Sequence, residues 1–109
     1  MEAKSFEPSK VYNLKSSVSI AEGGIVSKQF LKNKGGNITF FAFDKGQGLS
    51  EHTAHFDAVV QIIEGEAEVS IDRKKHLVRE GEMILMPANV PHALQAVQSF
   101  KMCLTMLKD

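Results

Sequence analysis

Several features that would assign this sequence to a class are missing from it. It has a single cysteine, Cys103, so no intrachain disulfide can form, and a lone thiol fits a reducing compartment. Its 13 Lys and Arg residues balance 13 Asp and Glu residues. That leaves no electrostatic footprint for nucleic acid or an anionic membrane. Nor does charge repulsion oppose self-association. No apolar run is long enough to span a bilayer. The first residues, MEAKSFEPSKVYNL, contain no apolar stretch of signal-peptide type, so the expectation is a cytoplasmic protein. There is no internal repeat and no low-complexity segment. No helical period persists beyond about one turn.

What remains is a succession of strands. A chain of 109 residues is long enough to bury one core and too short to divide into two domains. Ile38 to Phe43 (ITFFAF) is β-branched and aromatic, as a strand buried on both faces would be. Ala58 to Ile63 (AVVQII) reads the same way, with Gly65 expected to turn the chain after it. Glu66 to Ile71 alternates strictly, with Ala67, Val69 and Ile71 on one face, and predicts a half-exposed strand. Further strands are expected at 27–32, 76–78, 83–86, 93–97 and 100–107, separated by glycine-rich or charged turns. Pro87 and Pro91, two of only three prolines, bracket a loop. Short strands at this spacing predict an all-β sandwich or barrel.

Three of the four histidines fall beside turns that join strands: His52, His55 and His92. Neutral imidazole is the commonest metal ligand and suits Zn, Fe, Cu and Ni. His76 lies in a charged hairpin and is assigned no role.

The spacing around these histidines resembles the two motifs of the cupin superfamily. The first motif is Gly, five residues, His-x-His, three or four residues, Glu, six residues, Gly. Here Gly46 precedes His52 by five intervening residues, and Gly65 stands at the closing glycine. The second is Gly, five residues, Pro-x-Gly, two residues, His, three residues, Asn. Here Gly81, Pro87 and His92 fall in register. Residues 66 to 80 separate the motifs, as in the most compact cupins. The resemblance implies a single antiparallel β-barrel (jelly roll, double-stranded β-helix), with a core at about 25–107 and an N-terminal arm at 1–24.

The departures from those motifs bear on function. Ala54 stands at the second histidine, Ala58 at the glutamate, Asn89 at the glycine and Ala96 at the asparagine. Of the three histidines and one glutamate that hold the metal in a typical cupin, only His52 and His92 carry over. His55 is the first substitute ligand, because a bulge would re-aim it inward. Gln61, a weak oxygen donor, would also need a bulge. Asp57 and Glu51 are expected to be solvated. The expected cofactor is one divalent transition metal (Zn, Ni, Fe, Cu or Mn).

Parity places Ala58, Val60, Ile62, Leu94 and Ala96 inward. With Ala54, Gln61 and Met83 they are expected to line an apolar pocket for a small-molecule ligand. Met86, Met102, Met106, Phe41 and Phe43 lie nearby in the sequence pattern. The resemblance also implies a homodimer, with Phe6 to Ile20 long enough to reach a neighbour. Two functions follow: a metal-dependent protein binding or converting a small polar metabolite, or a non-catalytic ligand-binding or sensing module without metal. A purely structural role has no sequence feature in its favour.

Overall fold

The computed structural model describes residues 6–108, and among them there is no helix. Residues 1–5 of the expected arm lie outside the described residues. Eight strands follow in order: β1 (Ile25–Asn33), β2 (Gly36–Phe43), β3 (Gly48–His52), β4 (Asp57–Ile71), β5 (Lys74–Arg79), β6 (Met83–Met86), β7 (His92–Gln95) and β8 (Phe100–Leu107). They form one curled antiparallel sheet in the order β1-β2-β8-β4-β7-β3, with β5 and β6 also paired to β4. β1 and β3 each pair on one side only. Lys28 and Lys32 on β1 are the kind of charged residue that keeps such an edge from recruiting another chain.

β4 corrects one sequence expectation. Gly65 does not turn the chain; it lies inside a single 15-residue strand. Ala58, Val60 and Ile62 face the core on even numbers, and Ala67 and Val69 face it on odd numbers. A register irregularity between Ile62 and Glu64 supplies the one-residue slip that keeps both sets inward. Gly65 has φ 78°, and a Cβ there would collide with the Ser99 carbonyl oxygen and the backbone of Phe100. Glycine is therefore required for close approach at a bend, not for a hairpin. The hairpin that does follow is tighter than expected. Ile71 pairs with Lys74, and Asp72 and Arg73 both take the left-handed conformation of a two-residue turn. β3 was not anticipated as a strand.

Inside the curl, Phe43 and Phe100 stack at 4.6 Å between centroids, against Val60, Val69 and Met102, all fully buried. A second cluster lies on the outer face of the β1-β2-β8-β4 region. There the arm covers Phe40 and Ala42 with Val18 and Phe6. Lys101 fastens the arm: its Nζ donates to the Lys15 carbonyl at 2.6 Å and lies 3.0 Å from Glu64 Oε2. The segment whose length would let it reach a neighbour thus packs on its own sheet.

Removing Phe100 should test how closely this interior is packed. Phe100→Ala is expected to cost about 3–5 kcal/mol in urea denaturation. A loss below about 1 kcal/mol would show that the stacked pair does not fill the core.

Candidate functional site at the barrel mouth

Five strand ends meet at one rim. β3 ends at His52, β6 at Met86 and β8 at Leu107, while β4 begins at Asp57 and β7 at His92. The 87–91 loop is stitched to the 54–57 segment at this rim. Asn89 N–H donates to the Ala54 carbonyl at 2.7 Å, and Ala88 N–H donates to Asp57 Oδ1 at 2.9 Å. Asn89 has φ 64°, a conformation that asparagine tolerates better than most residues.

A bulge brings two histidines together. Leu49 pairs with Leu94, but the next aligned pair is His52 with His92, three residues on in β3 against two in β7. The extra residue at Ser50–Glu51 turns His52 to the inward side, where His92 already points. Their Nε2 atoms lie 3.1 Å apart, with the rings edge to face. His52 Nδ1 is 2.8 Å from the Ser50 carbonyl oxygen, and His92 Nδ1 is 3.2 Å from that of Val90. A carbonyl oxygen only accepts, so both Nδ1 atoms carry the proton and donate. With that tautomer in both neutral rings, each Nε2 carries a lone pair, and the two nitrogens face each other at 3.1 Å. Two facing acceptors are reconciled by a proton or a metal ion between them, or by one ring taking the other tautomer and donating its Nε2–H.

His92 is only 6% exposed, whereas His52 is open to solvent. Burial holds the His92 imidazole below its ordinary value of 6.5; the Val90 carbonyl opposes that shift, and the charge of His52 adds to it.

The other expected site residues divide into three groups. His55 is exposed and engages Asn89 Oδ1 through Nδ1 at 3.0 Å. Among the described residues, no group of three or more His, Cys, Asp or Glu is gathered that could hold a metal ion. Glu51 pairs with Arg73 at 3.6 Å. Ala58, Val60 and Leu94 do face inward, but as members of the packed core, while Ala54 is half-buried at the rim. Gln61 and Met83 are corrections to the interior lining. They pair with each other across β4 and β6 on the opposite parity to Ala58, no bulge intervenes, and Met83 is 71% exposed. Both instead border an outer groove of about 720 Å³ between the arm and the sheet, with Tyr12, Leu14, Ile63 and Cys103.

The sequence reading missed the bulge before His52. The unequal spacing, three residues from Leu49 to His52 against two from His92 to Leu94, signals a bulge only once Leu49 is known to pair with Leu94.

A single antiparallel sheet curled on itself, with two histidines meeting at its mouth, defines the class of small jelly-roll β-barrel proteins. The cupin domain family matches residues 39–107, and the chain belongs to it. A conserved protein of unknown function from Streptococcus pyogenes is 39% identical, with a TM-score of 0.91 over 96% of this chain and 92% of that one. A cupin 2 conserved barrel domain protein from Leptotrichia buccalis is also 39% identical, with a TM-score of 0.86 over 89% of this chain; the match spans 47% of that longer chain. A cupin superfamily protein from Desulfitobacterium hafniense is 25% identical, with a TM-score of 0.89 over the full length of both. No curated protein matches the chain.

The lowered His92 value sets a direction for stability. A depressed folded value means that the unfolded chain binds more protons below 6.5. The contribution from neutral His92 is complete above 6.5 and is lost as pH falls through the folded value. In chelator-treated protein, unfolding free energy should decline as pH drops below 6.5, and His92→Gln should flatten that slope. An unchanged slope in the variant would count against buried neutral His92.

Proposed function

We propose that this cupin barrel holds a transition-metal ion at His52 and His92 and uses it to take a small polar metabolite at the barrel mouth. The observation that carries this reading is the approach of two imidazole Nε2 atoms to 3.1 Å. A zinc–imidazole bond is about 2.0–2.1 Å, so two nitrogens closer than about 4.2 Å can share one ion. The backbone carbonyls of Ser50 and Val90 hold both rings in the ligating tautomer, as outer partners of metal-bound histidines do. When bound, the ion would supply a Lewis acid to an oxygen-bearing ligand. The chain itself orients the two nitrogens and keeps water from one side of the site with the apolar core. With alanine at 58, no carboxylate is placed there to move a proton. Whether the metabolite is converted or only bound then depends on the histidines and the ion.

Elemental analysis of untagged protein purified without chelator tests this. The wild type is expected to carry or accept close to one metal ion per chain, and His52→Ala/His92→Ala to fall to background with its fold intact. Wild-type protein that cannot be loaded would reject the reading.

Packing of Ala58 in the core favours a second reading, a binding module without metal. A metabolite that raises the melting temperature of chelator-treated protein without turnover would support it.

The reading extends to a cytoplasmic homodimer. On the outer sheet face, Leu85, Val59, Thr105, Ile38 and Leu31 are successive cross-strand partners, an uncharged stripe beside the cluster that Phe6 and Val18 cover. Leu85 and Leu31 are both more than half exposed. Leu85→Glu is expected to shift sedimentation from dimer to monomer. A wild-type monomer at micromolar concentration would reject the dimer.

A further inference from the structure

Two large apolar side chains that the core does not use border one groove on the outer side of the sheet. Leu14 of the arm is 58% exposed and Met83 of β6 is 71% exposed, and the groove between them measures about 720 Å³. Small-molecule sites are commonly about 300–1,000 Å³. Half-buried Ile63 and Cys103 line its sheet side, and Tyr12 lines its arm side. Met83 begins β6, whereas Met86 ends that strand at the mouth, so the groove and the histidine pair lie at opposite ends of β6 and on opposite faces of the sheet.

The arm wall is preformed. Phe6 packs edge to face on Tyr12 at 4.9 Å and on Phe30 at 5.1 Å. Ser17 N–H donates to the Leu14 carbonyl at 3.2 Å, Ser17 Oγ donates to the Asn13 carbonyl at 2.6 Å, and Lys101 holds the Lys15 carbonyl. These bonds fix the segment while leaving Leu14 uncovered, so an occupant need not order it. The charge around the groove is uneven. Its charged lining residues are Lys15, Glu80 and Glu82. Lys15 pairs with Glu80 at 3.5 Å. Among the described residues no side-chain cation lies within ion-pair distance of Glu82, whose Oε1 accepts the Arg79 backbone N–H at 2.9 Å.

We propose that this groove binds a small amphipathic cation, an amine with an alkyl or aryl body. The body covers Leu14, Met83 and Ile63, and the ammonium group balances Glu82. An apolar patch rimmed by polar residues is the usual form of a binding surface, and one uncompensated carboxylate at its border favours a single positive charge over a neutral or anionic head.

The test uses octylamine, with octanol and octanoate as its neutral and anionic counterparts, all below micelle-forming concentration. Cys103 is the chain's only cysteine, so its alkylation by iodoacetamide, followed by intact mass, reports occupancy of the groove. Burial pushes the thiol up, a hydrogen bond with Thr105 opposing that shift, so the unprotected reaction is slow enough to time. At saturation octylamine is expected to slow alkylation about tenfold or more, and to bind about fivefold more tightly than octanol, with octanoate weakest. Glu82→Gln, which keeps an acceptor for Arg79 N–H, should remove that preference and leave octanol binding unchanged. Leu14→Ala/Met83→Ala, a change to two exposed side chains, should weaken amine and alcohol alike by about tenfold. Equal protection by all three probes, protection that survives Leu14→Ala/Met83→Ala, or no protection would overturn the proposal. So would alkylation that slows with protein concentration alone, because a second copy would then be what fills the groove.

Discussion

The structure depends on one strand being able to bend. β4 pairs with β5, β6, β7 and β8, so it belongs to both halves of the curled sheet. It can do so only because Gly65 lets the Ser99–Phe100 backbone approach where any side chain would collide. The irregularity just before it resets parity, so Ala58, Val60 and Ile62 share an interior with Ala67 and Val69. Without that slip, one half of β4 would present its apolar residues to water.

The mouth of the barrel uses the same device. A single added residue in β3 turns His52 toward His92, and two carbonyl oxygens then fix which nitrogen of each ring is free. The chemistry of the pair follows from backbone geometry more than from side-chain neighbours. Asn89 performs a related service: by holding a left-handed conformation it keeps the 87–91 loop against Ala54.

Much of this was legible in the residues. Alternation from Glu66 to Ile71 and the apolar runs at 38–43 and 58–63 marked strands, and the spacing of Gly46, His52, Gly65, Gly81, Pro87 and His92 marked the fold. Less legible was anything that depends on an irregularity. Gly65 reads as a turn in the sequence because positive φ serves hairpins and bends alike. β3 (GLSEH) is polar and bulged, and it breaks the period by which strands are recognised. Gln61 fell outside the interior because β4 is regular where a bulge was invoked for it, and Met83 followed because it is the cross-strand partner of Gln61. The two histidines stood out in the sequence as residues, but their 3.1 Å approach came from a register that parity could not supply.

The position of β8 has a consequence for how the protein is made. This strand is the last of the barrel to leave the ribosome, yet it lies in the middle of the sheet, between β2 and β4. Its register joins Leu107 to Gly36 and to Asp57, so the ends of long chain segments must meet before the interior closes. Until then Phe43 lacks its stacking partner Phe100, and β2 and β4 present two unpaired apolar edges to one another. Closure of the interior therefore needs the final strand, and contacts this distant in sequence are formed by long loop closure. Without β8, one edge of β2 and one edge of β4 lack a partner, and unpaired apolar edges of that kind favour aggregation.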